Sequence, residues 1–295
     1  MGNRQRGRAA YPLLLPTWLV LGAFFLAPLV LMLAVSFAHR GTYGGIEPVG
    51  DLRSYLASGA FLANYARSFE AIYLKIGWRS LWMAVLTTVL CGVVSFPAAY
   101  YLAILAPRRW KGLLLGFVVV PFWTSFLIRT YAWMFILRTE GLLNLILVGS
   151  GLLHRPLELL YTQTAVMIGL VYGELPFMIL PLYASLEKLD TSLLEAAADL
   201  GASPMIAFFT VTLPQSVPGI VAGCLLVFIP AVGEFVIPDL LGGTNTLMIG
   251  KVLWDEFFTN SDWPLASAVA ICLLVLLVGP IALFQRQQAK SLERR

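Results

Sequence analysis

Four ionisable residues stand inside runs of apolar residues: Arg129, Glu174, Glu234 and Asp239. The chemistry open to them is electrostatic. A carboxylate in apolar surroundings can replace the hydration that a cation loses, and aromatic faces attract cations as well. Trp123, Tyr131, Trp133 and Tyr172 are the rings placed to help. Glu234 lies four residues after Pro230 and is a candidate for a cation pathway; its alternative is a structural pair with Arg129 or with a group on another subunit. Glu174 and Asp239 are pathway candidates too, although Asp239 falls near the end of its run, where water can solvate it. Arg129 would repel a cation, so a structural ion pair is expected of it. Each of these groups needs a partner or a purpose, because a charge at mid-membrane costs at least about 2.5–3.5 kcal/mol.

Other chemistries are missing from the pattern. His39 and His154 fall in loops and form no ligand cluster with Cys91, Cys224 and Cys272, so no metal site is expected. No histidine lies in an apolar run to activate a serine. No Gly-rich loop ends in Gly-Lys-Ser or Gly-Lys-Thr, so the chain is not expected to be its own P-loop ATPase. Gly242-Gly243-Thr244 lacks the lysine and reads as a turn.

The elements that hold these residues follow from composition. The 295 residues are 59% hydrophobic and only 12% charged, with a mean hydropathy of +0.82. A soluble domain is about 45–50% apolar and about 25% charged. The net charge of +4 is small. A soluble enzyme, a disordered chain and a nucleic-acid binder are therefore excluded, and the bilayer is the expected solvent. Spanning it takes about 20 mostly apolar residues per helix, and in lipid each span must be helical, because unpaired backbone groups there are costly. Six runs qualify: 13–37, 81–106, 112–137, 164–183, 217–241 and 264–284. The first is longer than the roughly 7–15 apolar residues of a signal-peptide core and reads as a retained helix. The expected fold is an all-α integral membrane protein with six transmembrane helices.

Lysine and arginine orient it. Arg4, Arg6 and Arg8 in 1–12, Arg108, Arg109 and Lys111 in the second connection, and Arg286, Lys290, Arg294 and Arg295 in 285–295 share one side, which is therefore cytoplasmic. Both termini are expected there. The long first loop, 38–76, faces the periplasm, and its stretch 51–78 reads as amphipathic. Pro176 and Pro181 are expected to interrupt the fourth span, and Pro230 and Pro238 the fifth. The cytoplasmic loop 189–218 breaks the charge rule with Asp190, Glu195 and Asp199 beside Lys188, which marks it as a docking surface.

Within that loop, Ser192-Leu193-Leu194-Glu195 fits a capping box and starts a helix. Ala196, Ala197 and Ala198 favour helix with little bulk. Gly201 sits where a left-handed C-terminal residue belongs. Ser203 is a second N-cap, with Pro204 as the first helical residue. The second helix is expected to close at Leu213-Pro214. The local pattern gives helix, sharp turn, helix.

Glu195-Ala196-Ala197, then Gly201, then Val211, Leu213 and Pro214, resembles the signature loop of ABC importer permeases of the binding-protein-dependent, type I family, with Val211 where the family favours isoleucine. The wider chain resembles the polyamine group of that family. The matching runs are Pro97-Ala98-Ala99-Tyr100, Pro121 to Ser125 with Arg129 to Trp133, Gly233 to Pro238 with Leu241-Gly242-Gly243, and Asp262-Trp263-Pro264. Within the group it is more similar to the putrescine branch than to the spermidine branch. The resemblance implies the type I fold over 77–284 and no catalysis in this chain. It implies coupling helices that dock on a separate cytoplasmic ABC ATPase, which binds the ATP and magnesium. Glu195 would be the acidic contact there, Ala196, Ala197 and Ala202 would allow close approach beside Asp199, and Gly201 would set the interhelical angle. A second, different permease subunit and a periplasmic polyamine-binding protein are the other implied partners. Two other readings stay open: a related importer of a small cationic or opine-like solute, and a self-sufficient proton-coupled transporter.

Overall fold

A computed structural model describes residues 16–47, Tyr55 and 59–293. The basic N-terminal segment with Arg4, Arg6 and Arg8, the first three residues of the expected first span, parts of the amphipathic stretch, and Arg294 and Arg295 lie outside the described residues.

Helices dominate the chain. α1 is Pro16–Ser36, nearly all of it exposed, as a lipid-facing helix requires. A minimal antiparallel pair, β1 (His39–Arg40) and β2 (Ile46–Glu47), follows, so the chain is not wholly helical. After α2 (Ala63–Ser68) comes α3 (Ala71–Leu105), which starts ten residues before the expected 81. The last part of the stretch expected to be a periplasmic amphipathic lead-in, 71–78, is already part of the span.

The third expected span, 112–137, is broken. α4 (Arg108–Val119) passes into a 3-10 turn, Val120–Trp123, and the backbone is extended at Thr124 and Ser125 before α5 (Phe126–Leu137) begins. Pro121 is the cause: it supplies no amide donor and its ring crowds the preceding turn. The carbonyl of Pro121 at the break is satisfied by the Thr124 hydroxyl, which donates to it at 2.7 Å. α6 (Leu142–Gly149) was not expected. It is stapled by buried Asn144, whose amide donates to the Leu157 carbonyl at 2.8 Å and accepts from the Leu157 N–H at 2.8 Å.

α7 (Gln163–Leu186) runs unbroken through Pro176 and Pro181, contrary to the expected interruption. The cytoplasmic hairpin follows, with α8 (Ser192–Asp199) and α9 (Pro204–Gly233). The fifth span ends at Gly233, short of the expected 241, and a π turn, Pro238–Gly242, lies beyond the break. α10 (Ile249–Trp254) and α11 (Trp263–Glu293) complete the chain. α11 carries the helix through most of the segment expected to be a cytoplasmic tail. Among the described residues five helical stretches are long and apolar enough to cross a membrane, one of them Phe126–Gly149 across α5 and α6, and Trp263–Gly279 is a shorter apolar helix.

The chain divides into two compact units. The first contains the described residues of Met1–Leu74 with Leu253–Arg295. Here α11 packs on α1 and α2. Asp262 organises the join. Its side chain is 1% exposed and lies 3.0 Å from Arg67 and 3.9 Å from Arg40, while its other oxygen accepts the Leu265 N–H at 3.1 Å and caps α11. Asp262→Ala is expected to lower the apparent melting temperature of the solubilised protein. The lost cap costs about 1 kcal/mol; the two half-exposed arginines add less, because solvent screens them. Asp262→Asn, which keeps the cap acceptor, should lose less than half as much in the same assay.

The second unit, Lys75–Val252, is built on α7 against α9. Gly219 and Gly223, four residues apart on α9, let the backbones close. A Cβ on Gly219 would sit 2.7 Å from the Pro181 carbonyl oxygen, and one on Gly223 would sit 2.6 Å from the Met178 sulfur. Small residues at this spacing are how membrane helices pack without a hydrophobic driving force. Around them Cys91, Ala99, Leu102, Met178, Leu182 and Val227 form one core cluster.

Candidate functional site

The cytoplasmic hairpin is set by its caps. The first helix does not start with the expected capping box. Asp190 Oδ1 accepts the Ser192 N–H at 3.0 Å, Thr191 is the N-cap residue, and its side chain makes no capping bond. Hydrogen bonds from the Ser192 hydroxyl and N–H hold the exposed Asp190 carboxyl below the usual carboxylate range. An aspartate two residues ahead of the helix reaches the free amide first, so Glu195 is left exposed, with no side-chain hydrogen bond among the described residues.

Gly201 behaves as expected from sequence. Its φ is +83°, its N–H donates to the Ala198 carbonyl at 2.9 Å, and the Ala202 N–H donates to Ala197 at 3.0 Å. These two bonds are the Schellman pair, which needs a left-handed residue at this point. Ser203 accepts the Ile206 N–H at 3.4 Å, and Pro204 is the first helical residue.

The second helix does not close at Leu213-Pro214. A π turn, Phe208–Thr212, carries the chain straight into the membrane span. The Leu213 N–H reaches back to the Phe208 carbonyl. Such a widened turn shifts the hydrogen-bond register just before Pro214, which has no N–H to give, so the proline fits without ending the helix. Phe208 meets the edges of Phe96 and Tyr100 on α3 at 5.4 and 6.5 Å. Ala196, Asp199, Gly201 and Pro214 are exposed, and Ala197, Ala202, Val211 and Leu213 are half-buried. Leu200 at 88% and Met205 at 67% exposure give the hairpin a bare apolar tip.

The intramembrane residues separate into different settings. Glu234 sits at the break after α9, with its backbone extended. Its Oε1 accepts the N–H groups of Phe235, Val236 and Ile237 at 3.1, 2.9 and 3.4 Å. It therefore caps its own next turn. Asp239 forms an ion pair with Lys251 at 3.1 Å. Glu174 is buried, and its Oε2 has no hydrogen-bond partner.

The ion pair expected of Arg129 does not form among the described residues. Among the described residues no carboxylate lies within 4.0 Å of it. Its guanidinium instead lies 4.2 Å from the Phe122 ring centroid and 5.8 Å from that of Phe126. Two of the candidate acids are engaged elsewhere: Glu234 by backbone amides and Asp239 by Lys251.

Arg129, Trp133 and Tyr172 do come together. They line one narrow cleft with Phe126, Thr130 and Ile237. Tyr172 stacks on Phe122 at 6.0 Å and meets the edge of Trp133 at 5.4 Å. Trp123 and Tyr131, which sequence reasoning grouped with them, are 82% and 46% exposed and do not line the cleft. Glu174, Glu234 and Asp239 do not line it either. Phe122 and Phe126 were missed. The signal was present, since Phe126, Arg129, Thr130 and Trp133 share one helical face by their spacing.

Apolar helices long enough to span a bilayer, with a helical hairpin between two of them, mark a multi-pass membrane protein. The family described as "binding-protein-dependent transport system inner membrane component" matches residues 95–293, and the chain belongs to it. It is 43% identical over 279 residues to the spermidine/putrescine transport system permease protein PotB of Haemophilus influenzae, across 95% of this chain and 93% of that protein. PotB of Escherichia coli K12 is 42% identical across 88% of this chain and 90% of the relative. The fold matches a chain of a bacterial alginate ABC transporter in complex with a pentasaccharide-bound periplasmic protein, with a TM-score of 0.72, 16% identity, and coverage of 95% of this chain and 93% of that one. It also matches a chain of the MetNI methionine ABC transporter in an inward-facing conformation, at a TM-score of 0.55, 20% identity and coverage of 72% and 93%. The chain thus has the type I ABC importer permease fold.

Proposed function

We propose that this chain is one of two different permease subunits of an ATP-driven polyamine importer, with putrescine among its substrates. A periplasmic polyamine-binding protein delivers the solute. A cytoplasmic ATPase, which binds ATP and magnesium, docks on the hairpin 189–218. The observation that carries the reading is 43% identity along almost the whole chain to a spermidine/putrescine permease. That relative takes both polyamines, so the likeness gives no preference between putrescine and spermidine.

The geometry supplies a route for the work. α9 runs 30 residues from the hairpin to the break at Gly233, a rod of about 45 Å. The exposed Glu195 and the apolar tip at Leu200 meet the ATPase. Gly201 fixes the angle at which the docked helix hands its motion to α9. Phe208 ties the base of the hairpin to α3, and the close fit of α9 on α7 shifts that pair as one body. The chain performs no covalent chemistry. It holds two states whose relative stability the ATPase changes, and a ligand or nucleotide shifts them only by binding them unequally.

Proteoliposomes that contain this chain, the partner permease, the ATPase and the binding protein should take up labelled putrescine and spermidine only when ATP is enclosed. Uptake by this chain alone under a proton gradient, without ATP, would show a secondary transporter instead. Uptake of other solutes and not of polyamines would overturn the substrate.

A further inference from the structure

The cleft in the second unit already holds a cation of its own. Arg129 lays its guanidinium on Phe122, 4.2 Å from the ring centroid, and Phe122 in turn stacks on Tyr172, which meets Trp133. Phe126 lies further off, at 5.8 Å, and the guanidinium donates one hydrogen bond to the Pro121 carbonyl at 3.4 Å, long for a charged donor. No carboxylate among the described residues compensates it. A charge in a membrane segment is costly, and stacking on aromatic faces returns only part of that cost. Arg129 is therefore held weakly, on a surface whose chemistry suits any organic cation.

We infer that Arg129 is a tethered stand-in for the substrate: its guanidinium lies on the face of Phe122, beside Phe126, and the ammonium group of a polyamine displaces it from that face. The inference rests on the polyamine reading. It makes Arg129 a specificity residue and not an ion-pair strut. Exchange of a guanidinium for an alkylammonium on the same rings is close to an even trade, so the tether competes with substrate without blocking it. It also keeps the rings covered by protein charge between transport cycles, where an uncovered face would take up whatever cation arrives. The break at Pro121 helps. It places Phe122 in a 3-10 turn ahead of α5, seven residues before Arg129, so ring and guanidinium meet across the break and are not fixed to one helix.

Removal of the competitor should tighten binding. The test is equilibrium binding of radiolabelled putrescine and spermidine to the assembled, nucleotide-free complex in nanodiscs, with the binding protein left out. Arg129→Ala is expected to bind about tenfold more tightly than wild type, which is ~1.4 kcal/mol. Arg129→Gln should do the same and guards against a folding defect in the alanine variant. Arg129→Lys, which keeps a tethered cation, should stay within about threefold of wild type. Phe122→Leu added to Arg129→Ala should reverse the gain, because the surface itself is lost. Equal or weaker binding in both neutral variants overturns the stand-in role. Weaker binding in them, restored by lysine, assigns Arg129 to an anionic group of the ligand. If the wild-type complex neither binds nor imports a polyamine, the substrate reading fails first and this inference falls with it. A wild type that imports polyamines beside neutral variants that do not tighten refutes the stand-in alone.

Discussion

Gly201→Val is expected to cut ATP-driven uptake more than tenfold while leaving the protein inserted and assembled. The reason is local. At φ +83° a branched side chain meets its own backbone, which costs about 1–2 kcal/mol or more. The hairpin escapes this strain by giving up the Schellman turn, so the Gly201 and Ala202 N–H bonds to Ala198 and Ala197 are lost. α8 then points elsewhere and no longer delivers Glu195 and Leu200 to a partner. Nothing lies within 4 Å of a Cβ built there, so no core packing is disturbed and melting should change little. Gly201→Asn, which tolerates the left-handed region, should keep most of the uptake if conformation is the cause. Uptake by proteoliposomes, normalised to the amount of assembled complex, measures it. Full uptake by a well-assembled valine variant would remove the hairpin from the coupling path.

The hairpin was legible because its signals are short-range. Gly201, Ser203 and Pro204 each act within about five residues of chain. Where sequence reasoning failed, a competing local bond or a tertiary contact decided the outcome. Ser192 and Glu195 satisfied the capping pattern, yet Asp190 lay nearer to the free amide. Pro214 looked like a stop, and a π turn absorbed it. The third span was expected to run unbroken from 112 to 137, and Pro121 split it. Charges were read least well. Counting carboxylates in apolar runs found Glu174, Glu234 and Asp239 but could not show that one caps its own chain and another holds Lys251. Arg129 was assigned a carboxylate because pairing is the common solution, and aromatic rings on its own helix and on the turn before it took that place. The spacing Gly219-x-x-x-Gly223 was readable as a helix-packing face, and both glycines meet α7 closely.

The second large effect is expected at the break in the fifth span. Gly250 opens α10 against the end of α9 so closely that a Cβ on it would lie 2.2 Å from the Gly233 carbonyl oxygen and 2.8 Å from that of Glu234. Both atoms are backbone and cannot turn aside. The start of α10 is fixed as well, because the Ser80 hydroxyl accepts the Ile249 N–H at 2.7 Å inside the core. Gly250→Ala must therefore push α10 away from the break, at a cost near the upper end of the 1–3 kcal/mol usual for overpacking, or reshape the break itself. Either outcome disturbs the three amide bonds that hold Glu234 Oε1. Gly250→Ala should lower the apparent melting temperature by several degrees and reduce uptake together, whereas Gly201→Val should separate the two. Ser80→Ala, which removes only the hydroxyl brace, should lose about 1 kcal/mol and retain part of the activity. Thermal unfolding and uptake on the same preparations decide it: a Gly250→Ala protein that melts and transports like wild type would show that the break is loose enough to take the extra methyl group, and that α10 does not hold it shut.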